Sequence, residues 1–96
     1  MRDYRLTPAA QADVASIWDF TQEHWGENQA QTYLLELRAA MERIAEKPDR
    51  GRERSDVLLG YRSYAIGRHA VFYWERENGV DVIRILHQSM DPSKHL

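Results

Sequence analysis

Three segments rich in aromatic and β-branched residues follow one another in the C-terminal half of the chain, with only a few residues between them. These segments span residues 61–66, 69–75 and 80–87. The first connection is Gly67-Arg68, and the second contains Asn78-Gly79, a pair typical of tight hairpin turns. Parallel neighbours would need a crossover of about a dozen or more residues. The three segments are therefore predicted to be antiparallel strands that lie side by side.

The N-terminal half has the periodicity of helices. Apolar side chains recur at the spacing of one helical face from Ala10 to Trp25, and again from Ala30 to Ile44. Thr7 is the expected N-cap of the first helix. Gly26 is expected to end that helix, and Asn28 to cap the second. So short a connection predicts an antiparallel helical hairpin.

A short strand at residues 4–6 precedes the helices, so the predicted order is βααβββ. The apolar face of the hairpin must be buried against one side of the sheet. The sequence therefore predicts an α+β fold, with an antiparallel sheet and the helical hairpin packed on one face. A length of 96 residues suits a single domain, and residues 1–96 are interpreted as one.

The composition excludes several classes of protein. Cysteine is absent, which rules out disulfides and thiol catalysis. No apolar run approaches the roughly 20 residues of a membrane helix, and the first residues do not resemble a signal peptide. We therefore expect a cytoplasmic protein that makes no membrane contact.

The motifs of metal, nucleophile and phosphate sites are missing from the sequence. The four histidines show none of the spacings typical of metal ligands. No serine has a Gly-x-Ser-x-Gly setting, and the glycines are too scattered to form a phosphate-binding loop. Neither a metal nor a cofactor is expected.

Arginines are concentrated in one stretch of the chain. Residues 50–68 contain five of them against two acidic residues: Arg50, Arg52, Arg54, Arg62 and Arg68. Two interpretations remain open, a solvated loop or a patch that binds an acidic partner or phosphates. The net charge of -2 disfavours a protein that binds nucleic acid by itself, and no direct sequence-specific binding is expected.

Aromatic residues are concentrated in two adjacent strands. They are Tyr61, Tyr64, Phe72, Tyr73 and Trp74. Strand alternation sends such side chains to both faces of a sheet. About half are expected in the core. The rest are expected on the face that the helices leave open, which indicates a covering partner.

The chain resembles the ParE/RelE superfamily of bacterial type II toxins in its βααβββ order and in several segments. Residues 60–64, 67–73 and 84–91 are similar to the ParE branch, as are residues 4–13 and 44–48. The run Arg-Ile-Leu-His-Gln-Ser-Met-Asp at residues 84–91 is the most specific of these. The resemblance covers nearly the whole chain. It implies a toxin that inhibits DNA gyrase and is neutralised by a ParD-type antitoxin.

The RelE branch of the superfamily instead cleaves mRNA on the ribosome, with a strand arginine that faces the scissile phosphate. Ala70 occupies the matching position here, and alanine cannot stabilise developing negative charge. The resemblance therefore favours a protein that is not an enzyme. The RelE alternative retains Arg62, His69 and His87 as a reduced acid/base set. A third alternative is a non-toxic relic that binds only its antitoxin.

The tail at residues 88–96 keeps two apolar residues, Met90 and Leu96. The resemblance implies that the C-terminal segment takes part in toxicity. The alternative is that Met90 closes the end of the sheet and the rest is disordered. The residues predicted to bind a partner are thus Arg50, Arg52, Arg54, Arg62, Arg68, Met90 and Leu96.

Overall fold

The computed structural model describes residues 2–96, which form two helices packed on a five-stranded sheet. The elements are β1 (Asp3–Leu6), α1 (Pro8–Trp25), α2 (Glu27–Glu46), β2 (Arg52–Glu53), β3 (Arg62–Ile66), β4 (His69–Arg76) and β5 (Gly79–His87). Short 3₁₀ turns follow α2 at Pro48–Arg50 and β5 at Pro92–Lys94. The predicted α+β class and the predicted order of helices and strands are confirmed.

The sheet has the strand order β1-β5-β4-β3-β2. Strands β3, β4 and β5 are antiparallel neighbours, as the short turns predict. The expectation of a fully antiparallel sheet is wrong at one edge, because β1 pairs with β5 in parallel. The helical hairpin between β1 and the later strands is long enough to serve as the crossover that parallel pairing needs. The two-residue strand β2 is an addition to the predicted order.

The ends of the two helices confirm one predicted cap and correct another. Thr7 is the N-cap of α1, and its hydroxyl accepts a hydrogen bond from the Ala10 amide at 3.0 Å. The prediction for Asn28 is wrong, because α2 begins at Glu27 and its N-cap is Gly26. Gly26 has a φ of 91°, which a residue without a Cβ adopts at little cost. One glycine therefore reverses the chain between the helices.

The hydrophobic core lies between the helical hairpin and one face of the sheet. Its buried members are Ala10, Ile17, Leu37, Met41, Ile44, Ala45, Val71, Tyr73, Val80, Val82 and Ile85. Neither α1 nor α2 has both the length and the apolar character that crossing a bilayer requires.

The Tyr73 hydroxyl holds the segment that follows α2. It donates a hydrogen bond to the carbonyl of Pro48 and accepts one from the amide of Gly51, 2.9 Å away. A Cβ at residue 51 would lie 2.0 Å from the hydroxyl oxygen, so only glycine fits there. Burial, the largest influence, raises the pKa of Tyr73. The side chain therefore stays neutral and able to donate.

Candidate functional site

An open apolar groove runs between α1, α2 and the edge strand β1. Its volume is about 470 Å³, and Tyr4, Leu6, Val14, Trp18, Leu34 and Leu35 are among its lining residues. Leu35 is 62% exposed, although it is a large aliphatic side chain. A groove of this kind beside an open strand edge suits an amphipathic helix or an extended segment. The helical period alone did not single out this surface.

Two of the aromatic side chains expected on the open sheet face, Phe72 and Tyr61, are covered by the chain itself, contrary to expectation. Val71 and Tyr73 belong to the helix-side core, so alternation places Phe72 on the open face. Phe72 is nevertheless only 2% exposed, and Tyr61 only 7%. Trp74 is 39% exposed and contacts the Tyr61 ring, with their centroids 5.4 Å apart. Phe72 and Tyr61 therefore do not require a covering partner, whereas Trp74 stays exposed.

The Arg54 side chain covers part of the open face of the sheet. Its guanidinium lies over the Phe72 ring, 5.2 Å from the centroid. The same group pairs with Asp56 at 3.0 Å and donates to the Ser63 hydroxyl at 3.3 Å. The hydrogen bond from Arg54 is the main cause that lowers the pKa of Asp56. Arg54 is thus engaged within the chain and unavailable to a partner without rearrangement.

The other four arginines of the predicted cluster divide into two groups. Arg62 donates to the carbonyl of Gly51 at 2.8 Å and lies 3.5 Å from a Glu53 oxygen. Arg50, Arg52 and Arg68 are exposed, and within residues 2–96 none of the three forms an ion pair. The structure therefore does not assemble one five-arginine patch.

The residues proposed for a reduced acid/base set are also separated. His69 and His87 are cross-strand neighbours whose ring centroids lie 5.4 Å apart. Arg62 begins β3, whereas Ile66 at its end pairs with His69. Four residues of strand span about 13 Å at roughly 3.3 Å per residue. The structure therefore brings the histidines together but leaves Arg62 far from them.

Tyr33 of α2 is a partner of this histidine pair that sequence reasoning missed. Its hydroxyl oxygen lies 2.6 Å from His69 Nδ1 and accepts a hydrogen bond from the Arg68 amide at 3.2 Å. Burial, and then the nearby charge of His87, lower the pKa of His69. Burial also raises the pKa of Tyr33. Burial thus favours the neutral forms of His69 and Tyr33, and the cation that acts on Tyr33 is the exposed Arg68.

Ala70 lies on β4 between Ala65 of β3 and Leu86 of β5. Its cross-strand neighbours are thus both aliphatic. Ala70 and these two neighbours therefore supply no cation that could bind a phosphate. Among residues 2–96, no three His, Asp or Glu side chains are arranged to hold a metal ion.

The C-terminal tail is bound to the body of the protein through Arg84. The Arg84 guanidinium donates to both carboxylate oxygens of Asp13, at 2.7 and 2.8 Å, and to the carbonyl of His95 at 3.0 Å. Asp91 caps the final 3₁₀ turn by accepting from the Ser93 amide at 3.0 Å. The tail is therefore an ordered turn and not a frayed end.

The two apolar residues of the tail have unequal exposure. Met90 is 44% exposed, whereas Leu96 is half-buried. The alternative in which Met90 closes the sheet while the rest is disordered is therefore wrong. Arg84 could have been found from the sequence, because a charge between Ile83 and Ile85 in an apolar strand needs a partner.

Comparisons with known proteins give a consistent result. The family described as "ParE toxin of type II toxin-antitoxin system, parDE" matches residues 4–92. "Toxin ParE1" of Mycobacterium tuberculosis is 45% identical, over 97% of this chain and 96% of that protein. "Toxin ParE1" of Caulobacter vibrioides is 44% identical, over 100% of this chain and 99% of that protein.

A solved structure agrees with the fold. A chain of the "Chromosomal ParDE TA system from P. aeruginosa" superposes with a TM-score of 0.77, covering 91% of this chain and 96% of that one. The two sequences are only 17% identical, so the match concerns the fold alone.

Proposed function

The chain belongs to the ParE toxin family of type II toxin–antitoxin systems, and from that premise we propose that it inhibits DNA gyrase by binding, without catalysing a reaction, and is neutralised by a ParD-type antitoxin. Gyrase as the target follows from the family.

The observation that carries a non-enzymatic mode of action is the absence of a phosphate-binding cation from the strand position occupied by Ala70. Metal-free phosphoryl transfer depends on charges fixed around the phosphate. Arg62, the remaining arginine candidate, is committed to Gly51 and Glu53 and lies far from His69. His69 and Tyr33 could exchange a proton but supply no fixed charge to a phosphate. This supports inhibition by binding over RNA cleavage.

The groove beside β1 is the surface we assign to the antitoxin. It is apolar and open, it exposes Leu35 where a soluble domain would ordinarily place a polar group, and it leaves Trp18 half-buried. Arg38 stands at its rim, with its side chain 65% exposed and 3.6 Å from an oxygen of the exposed Glu42, a surface pair that a partner's carboxylate could replace. An amphipathic antitoxin segment with leucines on one face and carboxylates beside them matches both features. The open face of the sheet, already covered by the chain, is not needed for this contact.

Gyrase resides in the bacterial cytoplasm, so the proposed function places the toxin there. We also propose that residues 1–96 act as one domain, since both helices and the sheet share a single core cluster within residues 2–96.

Purified protein tests the proposal when gyrase supercoiling and ribosome-bound mRNA are assayed in parallel. The expected result is inhibition of supercoiling or trapping of cleaved DNA, relief by the antitoxin, and intact mRNA. Codon-phased cleavage of mRNA with normal supercoiling would show the RelE-type activity instead. A chain that binds antitoxin but does not inhibit growth would be the relic.

A further inference from the structure

A second exposed apolar element lies at the opposite edge of the sheet from the groove. Leu58 and Leu59, in the loop between β2 and β3, are 52% and 86% exposed. The strand order places β1 at one edge and β2 at the other. A helix that fills the groove beside β1 therefore leaves this loop open.

The loop has a defined backbone conformation. It is closed by a hydrogen bond of 2.8 Å from the Arg54 amide to the Tyr61 carbonyl. The amides of Val57 and Leu58 donate to the Arg54 carbonyl at 2.9 and 3.1 Å, and the Tyr61 amide donates to the Leu58 carbonyl at 3.1 Å. A loop ordered in advance loses little conformational entropy when a partner binds. The two leucines are thus presented in a fixed position.

The charges next to the loop are unbalanced. Its two carboxylates are already paired within the chain, Glu53 with Arg62 and Asp56 with Arg54. Arg50 and Arg52 come just before them and are both exposed, as is the neighbouring Asp49, so these three residues leave one positive charge in excess. A partner that covers the leucines therefore meets two guanidinium groups at the same edge, and carboxylates on the partner would complement them.

We propose that Leu58 and Leu59, bordered by Arg50 and Arg52, form the surface through which the toxin binds its target protein. The complementary surface on the target is an apolar pocket rimmed by carboxylates. This inference rests on the proposed function, since it assumes a protein target, and it assigns target and antitoxin to different edges of the sheet.

The test compares a double variant, Leu58→Ser with Leu59→Ser, against Leu35→Ser in the groove. All three side chains are more than half exposed, so circular dichroism and thermal unfolding should match the wild type. For the loop variant we expect at least about tenfold weaker inhibition of purified gyrase and of growth, as for loss of an interface hot spot. Its binding to co-purified antitoxin should change by less than about twofold. Leu35→Ser should show the reverse pattern.

A second variant examines the charges. Replacing Arg50 and Arg52 together by Gln, which removes both charges, should weaken gyrase inhibition and remove most of its dependence on salt concentration. Replacing Leu59 by Met, which keeps an apolar side chain of similar size, should restore most of the inhibition that the Ser variant loses.

Each outcome decides the inference. It is overturned if the loop double variant inhibits gyrase as well as the wild type, if it loses antitoxin binding as well, or if light scattering shows that the loop joins two copies of the chain. If the wild type inhibits growth but not gyrase, the gyrase proposal fails. In that case, the comparison of growth inhibition by the loop variant and by the wild type tests whether the loop binds the target. If the wild type does not inhibit growth, both fail.

Discussion

Arg84 and Asp13 form a two-pronged ion pair that joins the last strand to the first helix. The Asp13 oxygen that accepts from Arg84 Nε also accepts from the Ile85 amide at 2.9 Å. The Ile85 amide lies on β5 beyond Val82, which pairs with Leu6, the last residue of β1. The carboxylate therefore satisfies a sheet edge that β1 is too short to cover. The same guanidinium also donates a hydrogen bond to the His95 carbonyl, so the Arg84 side chain links α1, β5 and the tail.

Replacing Arg84 by Ala should lower the free energy of unfolding by about 2 kcal/mol, because it leaves Asp13 as an unpaired, largely buried carboxylate. Denaturant unfolding followed by circular dichroism measures the change. Asp13→Asn, which keeps an oxygen for the Ile85 amide but loses the charge, should cost roughly half as much. A change below about 0.5 kcal/mol in Arg84→Ala would contradict this account.

The periodicities of the sequence predict most of the fold, because burial imposes different spacings on helices and strands. They could not predict β2, since Arg52 and Glu53 are both polar and pair with β3 only because the chain folds back there. Nor could they give the direction of β1. A crossover as long as two helices permits either orientation, and tertiary packing decides.

The candidate site was harder to predict than the fold. Leu34 and Leu35 are adjacent on a helix, so both cannot point into one core. The helical spacing of apolar residues did not reveal that Leu35 is exposed. The arginine count indicated excess charge without showing its partners. Arg54 lies over Phe72, 18 positions further along the chain, and such a contact exists only once the strands are paired.

Replacing Tyr73 by Phe should lower the free energy of unfolding by about 1–2 kcal/mol, since the Gly51 amide and the Pro48 carbonyl would lose a buried partner. Equilibrium unfolding in urea measures the loss. Tyr64→Phe is the matched control. Its hydroxyl has only a contact of 3.4 Å from Arg43, and a change within about 0.5 kcal/mol is expected. Equal losses in the two variants would refute the anchoring role of Tyr73.

Stability should fall as the pH is lowered through and below 6.5, partly because of His69. Burial and His87 depress the folded pKa of His69 below its ordinary value of 6.5. Between the lowered pKa of the native state and 6.5, the unfolded chain binds a proton at His69 that the native state does not bind, so acidification favours unfolding. Urea midpoints measured from pH 7.5 to 5 should show this decline.

His69→Gln keeps a hydrogen-bonding group beside Tyr33 but cannot titrate in this range, so its decline over the same interval should be shallower. Parallel curves for wild type and His69→Gln would show that His69 does not carry the pH dependence.

Cutting the chain after Asp91 removes Leu96 and the His95 carbonyl but keeps Met90. Arg84 loses one hydrogen bond and retains Asp13, so the truncated protein should stay soluble and lose only about 1 kcal/mol of stability. We expect it to bind the antitoxin, because the groove beside β1 is unchanged, and to lose most of its growth inhibition. Growth curves after induction, with antitoxin co-purification from the same cells, measure both effects.

Leu96→Ser in the full chain separates loss of that side chain from loss of the turn, and Lys94→Ala should behave as the wild type. Full toxicity of the truncated protein would show that the tail only completes the fold, and insoluble protein would show that the core depends on it.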